Sequence, residues 1–150
     1  MNKTVKIILI IIGCFFLLGL GMCGACYVWF EQNKEQLKAE GEKLRTEAEA
    51  FAKTADQAGC LQETFRRQGL CDPGELAGAI CRGKEMAFFS ACLEKATPTA
   101  GFCDDVPKRD QIMELVTWSL KRCDTIGRPG DQACAKTFQQ VAAYCERKAQ

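Results

Sequence analysis

Cysteine is the residue type in this chain with the most chemical reach. There are eleven in 150 residues, and there is no histidine. Three of them, Cys14, Cys23 and Cys26, lie in one apolar run near the N-terminus. The other eight are Cys60, Cys71, Cys81, Cys92, Cys103, Cys123, Cys134 and Cys145. An even number in a small exported domain reads as a disulfide framework. Structural zinc is the competing reading, but these eight form no CxxC pair and no histidine is present to complete a ligand set. Lack of histidine also removes Cys-His, Ser-His and His-metal catalysis together. No metal or cofactor is expected.

The one CxxC is Cys23-Gly24-Ala25-Cys26. Such a pair performs dithiol–disulfide exchange when a helix N-terminus or a nearby cation lowers one thiol pKa. No cation stands beside it in sequence. Cys23 and Cys26 are therefore a candidate redox pair set against a plainer reading, apolar filler or an inter-chain bridge.

The element that would place these cysteines is the run 7–30, IILIIIGCFFLLGLGMCGACYVWF, which holds no charged residue. At about 1.5 Å per residue it is long enough to cross the roughly 30 Å hydrocarbon layer of a bilayer. Lys3 and Lys6 precede it and Glu31 is the first charge after it, which predicts a cytoplasmic N-terminus at 1–6 and export of the remainder. Tyr27, Trp29 and Phe30 would sit at headgroup level on the far side. Two alternatives also export the rest. One is a cleaved signal with Cys23-Gly24-Ala25 as its small-x-small site, although signal cores are normally shorter. The other is a lipidated cysteine, for which Ala25-Cys26 and Gly13-Cys14 are near misses. Gly21 and Ala25 make one small-xxx-small pair suited to a second span.

Residues 31–58 are charged and alanine-rich, with no proline and a single glycine, and predict a helical stalk. Leu37, Leu44, Phe51 and Ala58 recur every seven residues, with Gly41, Ala48 and Ala55 at the second heptad position. That thin seam fits a self-associating coiled coil, a solvent-exposed spacer about 40 Å long, or a helix lying on its own domain.

In residues 59–150 the cysteine intervals are the main signal. Five are eleven residues, Cys60–Cys71, Cys81–Cys92, Cys92–Cys103, Cys123–Cys134 and Cys134–Cys145, and Cys71–Cys81 is ten. Eleven residues make about three helical turns plus roughly 20°, so cysteines so spaced on one helix point the same way. Gly69 is placed to end a helix; Asp72-Pro73 and Asp105-Val106-Pro107 look like helix starts; 97–101 and 127–130 are loops. The reading is all-α, with helices over 31–68, 73–96, 107–123 and 131–148. Ile112, Leu115, Val116, Leu120 and Cys123 share one side of the third. Cys134, Phe138, Val141, Ala142 and Cys145 line the fourth. Eight cysteines allow 105 connectivities. Hairpin geometry favours Cys60–Cys81, Cys123–Cys134 and Cys103–Cys145. Elimination then leaves Cys71–Cys92, an awkward pair at opposite ends of one helix, or else Cys71 reaches the last hairpin.

The paired spacing resembles that of the twin-cysteine helix-hairpin proteins of the mitochondrial intermembrane space. That family mostly places nine residues between cysteines in two motifs, whereas most gaps here hold ten and eight cysteines take part. The resemblance implies a stapled hairpin architecture and carries over no functional residue.

A formal charge of +1, with Arg66-Arg67, Lys108-Arg109, Lys121-Arg122 and Arg147-Lys148 scattered among acids, predicts no nucleic-acid footprint. Asp104-Asp105 reads as a helix start rather than a calcium site, and Asn33-Lys34-Glu35 is no glycosylation acceptor. The function expected is a membrane-tethered, non-catalytic extracytoplasmic interaction or structural module. Its partners would be the lipid bilayer and a protein, or a second copy through span and stalk. Trp118, Phe88, Phe89 and Phe102 are candidate surface aromatics, each weighed against core packing. The alternatives are an envelope thiol–disulfide oxidoreductase using Cys23 and Cys26, and a small-ligand carrier with a groove between helices, to which no residue pattern points.

Overall fold

A computed structural model describes residues 3–72 and 74–149, with side chains from Tyr27 onward except those of Trp29 and Glu75. The described residues form five helices and no strand: α1 Lys3–Ala52, α2 Gln57–Gln68, α3 Glu75–Lys95, α4 Ile112–Thr125 and α5 Gln132–Lys148. They divide into two compact units, Met1–Glu42 and Lys43–Gln150.

The first unit is the greater part of α1. The run 7–30 expected to cross a bilayer lies in this helix, but its side chains up to Cys26 are outside the described residues. Among the described residues no helix is long and apolar enough to cross a membrane.

The second unit is two antiparallel hairpins, α2–α3 and α4–α5, with α3 packed on α5. Each hairpin is closed by a nested pair of bridges. Cys60–Cys92 and Cys71–Cys81 staple the first; Cys103–Cys145 and Cys123–Cys134 staple the second. The last two match the expected pairing, and the hairpin architecture implied by the twin-cysteine spacing holds. Cys60–Cys81 and Cys71–Cys92 are overturned, as is a bridge from Cys71 to the last hairpin. In an antiparallel hairpin the start of α2 faces the end of α3, so Cys60 meets Cys92. Cys71, just past the end of α2, meets Cys81 early in α3.

The expected helix 31–68 is broken at 53–56. Asp56 caps α2, its Oδ1 accepting from Gly59 N at 2.7 Å, which outweighs the helix preference of the surrounding alanines. The link is tied down by a single parallel bridge between Asp56 and Thr97, with Gln57 N donating to Thr97 O and Thr97 N to Ala55 O. α2 ends at Gly69, as expected. α3 begins at Glu75 rather than 73: Asp72 accepts from Gly74 N in an Asx turn instead of capping the helix. α4 begins at Ile112 rather than 107. Asp105 takes a left-handed conformation (φ 58°), and Val106 and Phe102 hold the loop on the core, so 105–107 close a turn instead of opening a helix.

The core is formed by Phe88, Phe89 and Leu93 of α3, Phe138, Val141 and Tyr144 of α5, and the bridged cysteines Cys60, Cys92, Cys123 and Cys134. Rings meet in tilted or edge-on pairs, Phe65–Phe138 and Trp118–Phe138 both at 5.6 Å. Such geometry matches the ring quadrupoles. The last turns of α1 belong to this core. Ala48 and Ala52 are fully buried, Leu44 packs against the cluster, and Phe51 lies 6.0 Å from Phe88. The heptad positions Leu44, Ala48 and Phe51 thus face the chain's own domain. The coiled-coil expectation is not supported, because small residues at the seam admit α3 as readily as a second stalk.

Candidate binding sites

Among the cysteines, the eight of the second unit are all bonded in pairs. Cys60, Cys92, Cys123 and Cys134 are wholly buried, whereas Cys103 is exposed and Cys71 and Cys81 are half-buried. Four bridges in one small unit are the signature of an oxidising, extracytoplasmic setting. The candidate redox pair Cys23 and Cys26 lies outside the residues whose side chains are described. Among the described residues no group of three or more His, Cys, Asp or Glu could hold a metal ion.

The aromatics proposed for a partner surface are structural. Phe88 and Phe89 are fully buried, and Trp118 and Phe102 pack against the core. The exposed apolar surface lies on α4 instead. Leu115, Ser119 and Cys123 turn inward. The neighbouring row Ile112, Met113, Val116 and Leu120 turns outward, Ile112 being 67% and Met113 77% exposed. Ile112, Val116 and Leu120 were expected on the same side as Leu115 and Cys123. The two rows lie about 100° apart on the helix, and the helix can bury one only. The Cys123–Cys134 bridge and the Trp118–Phe138 contact select the Leu115 row. Leu70, Leu76 and Ile80 are also exposed, around the tip of the first hairpin.

A concave site lies where α3 passes α5. The cleft holds about 480 Å³ and is closed by the end of α2 and by the α4–α5 turn. Its charged lining is Arg82 from α3, Arg128 from the turn, and Asp131 and Lys136 from the start of α5. Gly127 and Gly130, with φ of 76° and 70°, let the turn reverse within a few residues and bring Arg128 back over the cleft. Arg128 donates to Asp131 Oδ2 from Nε at 2.8 Å and lies with Nη2 2.6 Å from the same oxygen. Asp131 Oδ1 accepts from Ala133 N and Cys134 N, so two of the N–H groups at the start of α5 are met by the cap. Burial raises the Asp131 pKa, but the Cys134 N–H, Arg128 and the Ala133 N–H together outweigh it and hold the carboxyl below its ordinary value. Arg82 and Lys136 form no ion pair with a described residue.

Gln68, 4% exposed, also borders the cleft. Its Nε2 donates to Thr137 Oγ1 at 3.0 Å, while its buried Oε1 has no donor among the described residues. None of Arg82, Gln68, Arg128, Asp131 and Lys136 stood out in the sequence. The one available signal was Arg128-x-x-Asp131 inside a glycine-bounded turn, where a basic residue and a capping acid three apart face each other.

No family model, no curated protein and no solved structure matches this chain.

Proposed function

We propose that this chain is a membrane-tethered, non-catalytic module that presents a disulfide-stapled helical domain to a protein partner on the oxidising side of a membrane. The tether is the run 7–30, with Lys3 and Lys6 keeping the N-terminus inside. The observation that carries the reading is the exposed Ile112, Met113, Val116 and Leu120 row on a helix locked from behind by a buried bridge. Apolar side chains clustered on a rigid support are the usual anchors of protein recognition.

The test is made on the full chain in its membrane. A photoreactive residue at Met113 should give a discrete protein adduct, and the same residue at the exposed control position Arg147 on α5 should give none. A membrane-impermeant thiol reagent should label the eight domain cysteines from outside after reduction and not before. A lone monomer without adducts at position 113, or free domain thiols facing the cytosol, overturns the reading.

A further inference from the structure

We infer that the cleft between α3 and α5 binds a phosphate monoester of a small molecule. The site is distinct from the α4 row and does not rest on the membrane reading.

The charges define the ligand. Arg128 and Asp131 neutralise each other, and Asp131 also serves as the α5 cap, so neither is available to attract a ligand charge. What remains is Arg82 on α3 and Lys136 on α5, both lining the cleft and neither ion-paired with a described residue. A phosphate monoester carries about −1.5 to −2 at pH 7 and so matches that pair, whereas a single carboxylate leaves one cation unanswered. Arg supplies a planar fork and Lys a compact point charge, the two donor types that phosphate oxygens take.

The neutral lining defines the rest. Met86 and Ala79 give the cleft an apolar wall for the carbon skeleton of the ester. A volume of about 480 Å³ lies within the range of small-molecule sites. Asp131 already takes the Ala133 and Cys134 N–H groups at the α5 N-terminus, so the charge match rests on the two side chains.

Such a group reaches the cleft either on a soluble ester or on a lipid headgroup. The test uses the full chain with its four bridges intact. In the first arm glycerol 3-phosphate is titrated calorimetrically in zwitterionic micelles, with sodium sulfate at equal ionic strength as control. In the second, association is measured with nanodiscs of phosphatidylcholine with and without phosphatidate. Saturable binding in either arm is expected, the first result identifying a soluble source and the second a lipid source. R82Q and K136Q should each weaken it about tenfold, the loss of one charge-assisted hydrogen bond. Binding should also fall as pH drops through about 6, where the monoester loses its second charge. Lys136 is exposed, so K136Q keeps the test decisive if R82Q disturbs the hairpin. Absence of saturable binding in both arms, or unchanged binding by K136Q, overturns the inference.

Discussion

Gln57 and Tyr144, 87 positions apart, are joined by a buried hydrogen bond in which Gln57 Nε2 donates to Tyr144 Oη at 2.8 Å. The other end of the same amide is also satisfied, with Thr99 N donating to Gln57 Oε1 at 3.1 Å. One side chain thus connects the start of α2, the loop after α3 and the last turns of α5. Truncating it leaves a buried hydroxyl and a backbone N–H without their partner. Gln57→Ala is expected to cost about 2–3 kcal/mol, since unmet buried groups carry their full desolvation penalty. Tyr144→Phe removes one hydroxyl and should cost about 1 kcal/mol. Chemical denaturation of the two variants and the double variant checks this. Costs that simply add would show that the two residues act independently.

The four bridges differ in access, and that sets their order of loss. Both sulfurs of Cys60–Cys92 and of Cys123–Cys134 are wholly buried, whereas Cys103 is exposed and Cys71 and Cys81 are half-buried. Attack by a thiolate requires reach to a sulfur. Limited reduction followed by alkylation and mass mapping should open Cys71–Cys81 and Cys103–Cys145 first. The buried pair should open with global unfolding. Among the four, Cys103–Cys145 has the longest separation, 42 positions, and its removal by C103S/C145S should cost about 4 kcal/mol in the chain-entropy account. Removing Cys71–Cys81, with a separation of 10, should cost about 3 kcal/mol.

Those bridges also show what the sequence alone could and could not convey. Helix identity was legible, because eleven-residue cysteine spacing, Gly69 and the apolar row of α5 all act through neighbours along one helix. The second hairpin's pairing was legible for the same reason, with Cys123 and Cys134 flanking one short turn. The first was not, because Cys60 sits in the first turn of α2 and its partner is set by where that helix begins. That start depends on Asp56 capturing Gly59 N against an alanine-rich background. Likewise Leu44, Ala48 and Phe51 form a heptad whichever surface covers them, and the periodicity carries no information about whether that surface belongs to the same chain. The cleft was illegible because its walls come from α3, α5 and a turn, and no local pattern joins Arg82 to Lys136.

Gly78 permits the close entry of α3. A Cβ there would lie 2.2 Å from Asp72 O and 2.9 Å from Arg82 Nη1. The guanidinium can swing aside, but the backbone carbonyl cannot without moving the link between α2 and α3. Gly78→Ala, which would normally favour a helix by about 1 kcal/mol, should here destabilise the protein and loosen the Cys71–Cys81 end of the hairpin. Faster amide exchange over 72–82 than in the parent chain would show it. Equal exchange and raised stability would count against the contact.

Arg67 is the cation around which three carboxylates converge. Its guanidinium carbon lies 4.0 Å from the centre of the Phe88 ring, and Glu47, Glu63 and Glu85 are its ion-pair partners. Arg67→Ala leaves partly buried carboxylates facing one another and uncovers Phe88, at an expected cost of about 2–4 kcal/mol. Glu85, its side chain 14% exposed, has its pKa raised by burial, with Glu47 and Glu63 adding to the rise and Arg67 and Arg66 opposing it. A folded-state pKa above the unfolded one means the folded protein binds the proton more tightly. Stability should therefore increase as pH falls from neutral through that raised value. Glu63 behaves oppositely, held low first by its hydrogen bond from Arg66, and Asp131 is also held low. What they contribute is present above the unfolded carboxyl range and is lost as pH falls through their depressed values, below about pH 4. Urea midpoints across pH should consequently peak in mild acid. Glu85→Gln should raise stability at neutral pH by less than about 1 kcal/mol and flatten the limb above the peak, leaving the acid limb in place. A midpoint that falls steadily from pH 7 to pH 5 in the parent chain, or a slope unaltered by Glu85→Gln, would remove Glu85 from this account.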